Sequence, residues 1–221
     1  MKERCGCMQK VDLMVFDLDG TLVRSGDDLV ASVNYTLKTL GLPTLAPETV
    51  CGFVGDGVKT LMKKALGPDA IEHFDHAMEL FSAHYSEHLL DRTTLYPDVP
   101  SVLDYFEKKK KVIVTNKLLG FTLQITKGLG IAARFLEIFG EDSTPFKKPD
   151  PRLLRLVMAK WGGTPERTVV IGDGVNDILL GRNAGALSCA FLNGITGRDK
   201  LLALAPDLTC ETLSDLKTLL C

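Results

Sequence analysis

Four short apolar runs, at residues 13–16, 112–114, 169–171 and 190–192, each closed by Gly, Asp or Asn, constrain this chain more than any other feature. Runs that are apolar throughout, rather than alternating, suit strands buried on both faces, as in parallel sheets. Between them apolar positions fall at helical spacing, as with Leu119, Leu123 and Thr126, or Leu153, Leu154, Val157 and Met158. The alternation predicts an α/β fold with a doubly wound, Rossmann-like parallel sheet. Ligands of such sheets bind beyond the carboxyl ends of the strands, so the residues that follow each run matter most for function.

The rhythm breaks between residues 26 and 95, where three helical faces appear and no strand. They comprise Val30, Val33, Leu37 and Leu40; Val58, Leu61, Met62, Ala65 and Leu66; and Ile71, Phe74, Met78 and Phe81. The reading is a small all-helical cap (26–95) inserted after the first strand into a core formed by residues 1–25 and 96–221. Pro97 is expected to end the preceding helix, and a helix is expected over 101–110. The lysines 108–111 read as a solvated run at that helix's end, where cations suit the carbonyl dipole.

With 26 Lys and Arg against 28 Asp and Glu, the net charge of −2 and the absence of a long basic stretch argue against a nucleic-acid surface. No apolar run is long enough to cross a bilayer. The six cysteines (5, 7, 51, 189, 210 and 221) lack the framework of a small secreted domain, and no apolar targeting segment precedes the first strand. A cytoplasmic protein with free thiols is expected, Cys5 and Cys7 lying on a tail rather than in a metal site.

The first run is followed by Asp17-Leu18-Asp19-Gly20-Thr21. Two acids one residue apart at a strand end can aim at one point, one to attack an electrophile and the other to donate a proton. A plain Asp-Gly turn explains Gly20 but not both acids. Thr115-Asn116-Lys117 offers a hydroxyl, an amide and a backbone N–H to phosphate oxygens. Gly172-Asp173-Gly174-Val175-Asn176-Asp177 again puts acids between strand and helix, where they suit a hard cation such as Mg²⁺, or where Asp177 simply steadies a helix start. In Lys147-Lys148-Pro149-Asp150-Pro151, a lysine on a stiffened loop can balance the charge of a transferring phosphoryl group.

In this order, the four segments resemble the motifs of the haloacid dehalogenase superfamily across nearly the whole chain. Asp17 to Leu22 matches the first motif, Thr115 the second, Lys148-Pro149 the third, and Gly172-Asp173 through Asp177 the fourth. The helical insertion resembles the cap of the phosphatase and mutase branch. Within that branch the pattern is most similar to the phosphoglycolate phosphatase family, with Asp28-Leu29 and Val54-Gly55-Asp56-Gly57 adding to the likeness. Arg24 and Gly174 depart from it, standing where relatives often have an acid and a serine.

The resemblance implies a Mg²⁺-dependent phosphatase of a small phosphorylated metabolite, 2-phosphoglycolate favoured, acting through an aspartyl-phosphate. Asp17 would be the nucleophile and Asp19 the general acid and base. Asp17, the Asp19 carbonyl and Asp173 would bind the metal, with Lys148 opposite and Asp177 holding the metal's water shell or Lys148. Thr115 and Asn116 would orient the phosphoryl oxygens. Asp19 also argues against a dehalogenase, which attacks carbon and needs no proton donor two residues on. Neither nucleic-acid nor membrane partners are expected, and the chain is read as a monomer or weak homodimer.

Two other readings stay open: a phosphosugar mutase like β-phosphoglucomutase, for which Lys59, Lys63 and Lys64 could hold a second phosphate, and a non-catalytic phosphate- or Mg²⁺-binding regulatory module. Gly52, Gly55 and Gly57 either shape the start of the helix at 58–66 or let its N–H groups meet a substrate carboxylate. His73, His76, His84 and His88 read as surface residues rather than ligands. Trp161 reads as packing near a helix end.

Overall fold

The computed structural model describes residues 8–221, so Cys5 and Cys7 lie outside the described residues. The chain enters through β1 (Leu13–Phe16) and the two-residue β2 (Val23–Arg24). It then forms helices α1 (Gly26–Thr39), α2 (Pro47–Cys51), α3 (Val58–Leu66) and, after a 3-10 turn at Pro68–His73, α4 (Phe74–His88). Strand β3 (Thr94–Leu95) pairs antiparallel with β2 and leads to α5 (Val99–Tyr105). Strands and helices then alternate: β4 (Lys110–Val114), α6 (Leu119–Gly128), β5 (Glu137–Phe139), α7 (Pro151–Trp161), β6 (Thr168–Gly172), α8 (Val175–Ala184), β7 (Leu187–Phe191), α9 (Arg198–Leu202), β8 (Leu208–Cys210) and α10 (Leu216–Leu219).

The main sheet is parallel throughout, in the order β5-β4-β1-β6-β7-β8. The chain leaves β1 toward β4 and β5, then returns to the other edge of β1 for β6. Strand order therefore reverses at β1, which puts the ligand crevice at its carboxyl end. All four β1 residues are buried, and their alternation divides them between two layers. Met14 and Phe16 join Ile113 and Ile171 in a cluster that continues into the inserted helices, whereas Leu13 and Val15 join Val112, Val114 and Val170 against α7 and α8. Trp161 ends α7, Gly162 adopts the left-handed conformation that closes the helix, and the indole donates to Glu137 at 3.0 Å.

Several expectations need correcting. The helix expected over 101–110 stops at Tyr105, and Lys110 and Lys111 begin β4 instead. Lys111 is buried rather than solvated. Its ammonium caps the end of α5, donating to the Phe106 carbonyl at 2.5 Å, while Lys109 and Lys110 reach the carbonyls of Val11 and Trp161 at 2.8 and 2.7 Å. Carbonyls left unpaired at the ends of α5 and α7 attract the Lys111 and Lys110 ammonium groups, and the lysine stems bury readily. Helix α4 ends at His88, well before Pro97, and Ile71 lies exposed in the 3-10 turn rather than on the α4 face. The run at 190–192 is the end of a strand that begins at Leu187. No helix among the described residues is long and apolar enough to cross a membrane.

Candidate active site

Beyond β1 the backbone keeps its register for one more residue, Asp17 N–H donating to the Ile171 carbonyl at 2.9 Å. It then folds over Leu18, whose carbonyl accepts the N–H groups of Thr21, Leu22 and Val23. The Leu18 side chain is fully buried in the core, so Asp17 and Asp19, on either side of it, turn the other way. Gly20 has φ +81°, and a Cβ there would lie 2.3 Å from an Asp173 carboxylate oxygen. Both the backbone conformation and this close approach require glycine. Thr21 then ties the first motif to the fourth, donating to Asp173 Oδ1 at 2.7 Å and accepting from Asp173 N at 3.0 Å.

One oxygen each of Asp17, Asp173 and Asp177 lies within 4.8 Å of the others. Lys148 Nζ is 2.6 Å from Asp177 Oδ1 and 2.7 Å from Asp17 Oδ1. The second contact is an ion pair, so one ammonium serves both carboxylates. Three carboxylates thus face one ammonium. Burial, reinforced by the Asp17 charge, pushes Asp173 up to about 6. Burial and Asp17 likewise raise Asp177, against the pull of Lys148. Burial alone would depress the Lys148 ammonium, but Asp17 and Asp177 outweigh it and hold its pKa above the ordinary lysine value. Excess buried negative charge with oxygen ligands only fits a hard divalent cation.

Asp19 is held differently. Lys117 Nζ contacts both of its oxygens at 3.1 Å and donates to the Tyr85 hydroxyl at 2.7 Å, while Ser25 donates to Asp19 Oδ1. Asp19 and Tyr85 together override burial and keep the Lys117 pKa high. Asn116 was expected to meet phosphoryl oxygens, yet both its amide hydrogens are engaged, by the carbonyls of Gly55 (2.9 Å) and Lys148 (3.1 Å). Its carbonyl accepts from Lys148 N at 3.0 Å, so its side chain pins an inserted loop and the Lys148 loop to the sheet edge. Thr115 Oγ1 accepts from Lys117 N at 3.2 Å and keeps its own hydrogen available.

Asp17, Asp19, Thr115, Asn116, Lys117 and Lys148 line one side of a cavity of about 60 Å³. On that measure the space equals roughly four to six waters, so it suits a small ligand. The opposite side comes from the insertion: Leu29, Val54, Gly55, Gly57, Val58, Leu61, Phe81 and Tyr85. The expected site residues Asp17, Asp19, Thr115, Asn116, Lys148, Asp173 and Asp177 therefore gather at one sheet edge. Lys59, Lys63 and Lys64 do not reach the cavity; Lys64 pairs with Asp56 at 3.0 Å and Lys63 lies over the Phe74 ring. His84 stacks on Tyr35 and His88 contacts Asp91, outside the acidic cluster. Arg24 covers the ring of Tyr96. Tyr85 and the Lys117 ammonium escaped the sequence reading. Lys117 is adjacent to two quoted residues, whereas Tyr85 sits on an apolar helix face and reads as core.

Residues 14–191 match the family model of the haloacid dehalogenase-like hydrolases. The chain belongs to this family. Among its relatives, a phosphoglycolate phosphatase of Aquifex aeolicus is 34% identical over 210 residues, covering 94% of this chain and 96% of the relative. One from Vibrio parahaemolyticus is 32% identical over 217 residues, covering 94% and 95%. The crystal structure of a predicted phosphoglycolate phosphatase from Haemophilus somnus superposes with a TM-score of 0.88 at 29% identity, covering 93% of this chain and 96% of that one. These hydrolases share the fold over nearly the full length of this chain.

Proposed function

We propose that this hydrolase is a Mg²⁺-dependent phosphatase of small phosphomonoesters, 2-phosphoglycolate favoured, working through an aspartyl-phosphate on Asp17. The observation that carries the reading is the buried cluster in which carboxylate oxygens of Asp17, Asp173 and Asp177 lie within 4.8 Å of one another with Lys148 as the ammonium paired to Asp17 and Asp177. Supporting it are relatives named phosphoglycolate phosphatase that align along almost the whole chain. The residues that would hold the cation are Asp17, the Asp19 carbonyl and Asp173. When bound, the cation would offset the negative charge that nucleophile and phosphate bring together, a repulsion of about 4 kcal/mol per pair of unit charges at 4 Å and an effective dielectric near 20.

Asp17 attacks phosphorus and the ester P–O bond breaks. Asp19 gives its proton to the leaving alkoxide, then takes one from the water that cleaves the aspartyl-phosphate. Lys148, fixed by Asp177, balances charge at Asp17 throughout, and Thr115 donates to a phosphoryl oxygen. Lys117 keeps Asp19 aimed into the cavity. Residues 26–95 act as a cap that limits water and substrate size. Assaying phosphate release from small phosphorylated metabolites, with and without Mg²⁺, tests the reading. Mg²⁺-dependent release led by 2-phosphoglycolate supports it, and an isomerised sugar phosphate without release of phosphate rejects it in favour of a mutase.

A further inference from the structure

Tyr85 is the only polar side chain that the insertion contributes to the cavity wall. Its residue is fully buried. Lys117 donates to the phenol oxygen at 2.7 Å, and an ammonium, having no lone pair, cannot accept in return. The phenol hydrogen must therefore point elsewhere, and no protein acceptor among the described residues receives it. The ring cannot easily turn away: it stacks on Phe81 at 5.3 Å between centroids, meets Phe121 edge-on at 5.1 Å, and carries Lys117 over its face at 4.6 Å. A buried hydroxyl donor left unused is destabilising, so its acceptor belongs to whatever fills the cavity. The ammonium bonded to the phenol oxygen polarises the O–H and favours an anionic acceptor.

We infer that the Tyr85 hydroxyl selects the substrate, donating its hydrogen bond to a carboxylate on the alcohol part of the phosphomonoester. The inference rests on the phosphatase reading and adds to it the residue that would distinguish a hydroxy acid from a neutral alcohol of similar size. The remaining inserted wall, Leu29, Val54, Val58, Leu61 and Phe81, offers that carboxylate no other side-chain donor.

The test compares 2-phosphoglycolate with ethyl phosphate, which replaces the carboxylate by a methyl group, in the wild type and in Tyr85→Phe. The substitution keeps the ring and its packing, and a thermal melt checks that it does. The wild type should prefer 2-phosphoglycolate in kcat/KM, and Tyr85→Phe should shrink that preference by about 10- to 100-fold, as expected for one hydrogen bond to a charged group. Inhibition by the product glycolate should weaken in parallel. Equal losses on both esters, or a wild type with no preference between them, would overturn the inference while leaving a phosphatase standing. Phosphate release from neither ester by the wild type would reject the phosphatase reading and this inference with it.

Discussion

On the sheet side of the cavity, ion pairs of 2.7 and 3.1 Å join Lys148 to Asp17 and Lys117 to Asp19, with Asp177 behind Lys148 at 2.6 Å; on the insertion side, Leu29, Val54, Val58, Leu61 and Phe81 present hydrocarbon and Tyr85 one hydroxyl. The difference teaches which half tolerates change. Removing one partner of a buried ion pair strands the other charge and costs about 3–5 kcal/mol, whereas volume-conserving apolar swaps cost less than about 1.5 kcal/mol. The sheet edge is therefore a single unit, and the inserted wall can vary residue by residue.

The strongest challenge to this contrast is Asp17→Asn. Phosphate release should fall by about four orders of magnitude or more with the fold retained, because Asp177 remains as the counter-charge of Lys148; continued release from a generic ester would disprove the nucleophile. Lys148→Met should lower stability by about 3–5 kcal/mol, read from urea midpoints, because Asp17 and Asp177 lose their shared counter-charge. With Asp173→Asn, the Mg²⁺ concentration for half-maximal activity should rise at least about tenfold, and an unchanged titration removes Asp173 from the ligands.

Protons supply a gentler probe of the same edge. Asp173, pushed up to about 6, binds its proton more tightly in the folded than in the unfolded chain. Its stabilising contribution is present below the ordinary carboxylate range of about 4 and is lost as pH rises through the folded value. The metal-free protein should consequently lose melting temperature between about pH 4 and 6 relative to the Mg²⁺-saturated protein. A flat difference would contradict the buried negative excess. On the inserted side, Leu61→Met should cost less than about 1.5 kcal/mol and change kcat by no more than about threefold, altering mainly the ranking of bulkier esters. A collapse as large as that of Asp17→Asn would erase the distinction between the two halves.

What the sequence made legible follows the same physics. Strands β1, β4 and β6 stand out because burial on both faces leaves unbroken apolar runs, and position alone then picks out the acids behind β1 and β6 and Thr115-Asn116-Lys117 behind β4. Strands β5 and β8 form the two sheet edges, are short and partly exposed, and leave no such run at Glu137–Phe139 or Leu208–Cys210. Lys111 was misread because a lysine satisfied by carbonyls looks, in sequence, like a solvated one. Tyr85 was invisible for the opposite reason: its place among Ala77 and Phe81 on α4 hides a hydroxyl inside a hydrophobic pattern. For Asn116 the sequence offers an amide beside phosphate, while its bonds to the Gly55 and Lys148 carbonyls carry no side-chain signal.

The insertion joins the sheet through only two chain crossings, β2 and β3, and these are hydrogen-bonded side by side as Val23 opposite Leu95 and Arg24 opposite Thr94. Because the two tethers are hydrogen-bonded to each other, neither can be displaced without the other, and the inserted helices are held to the sheet at one place.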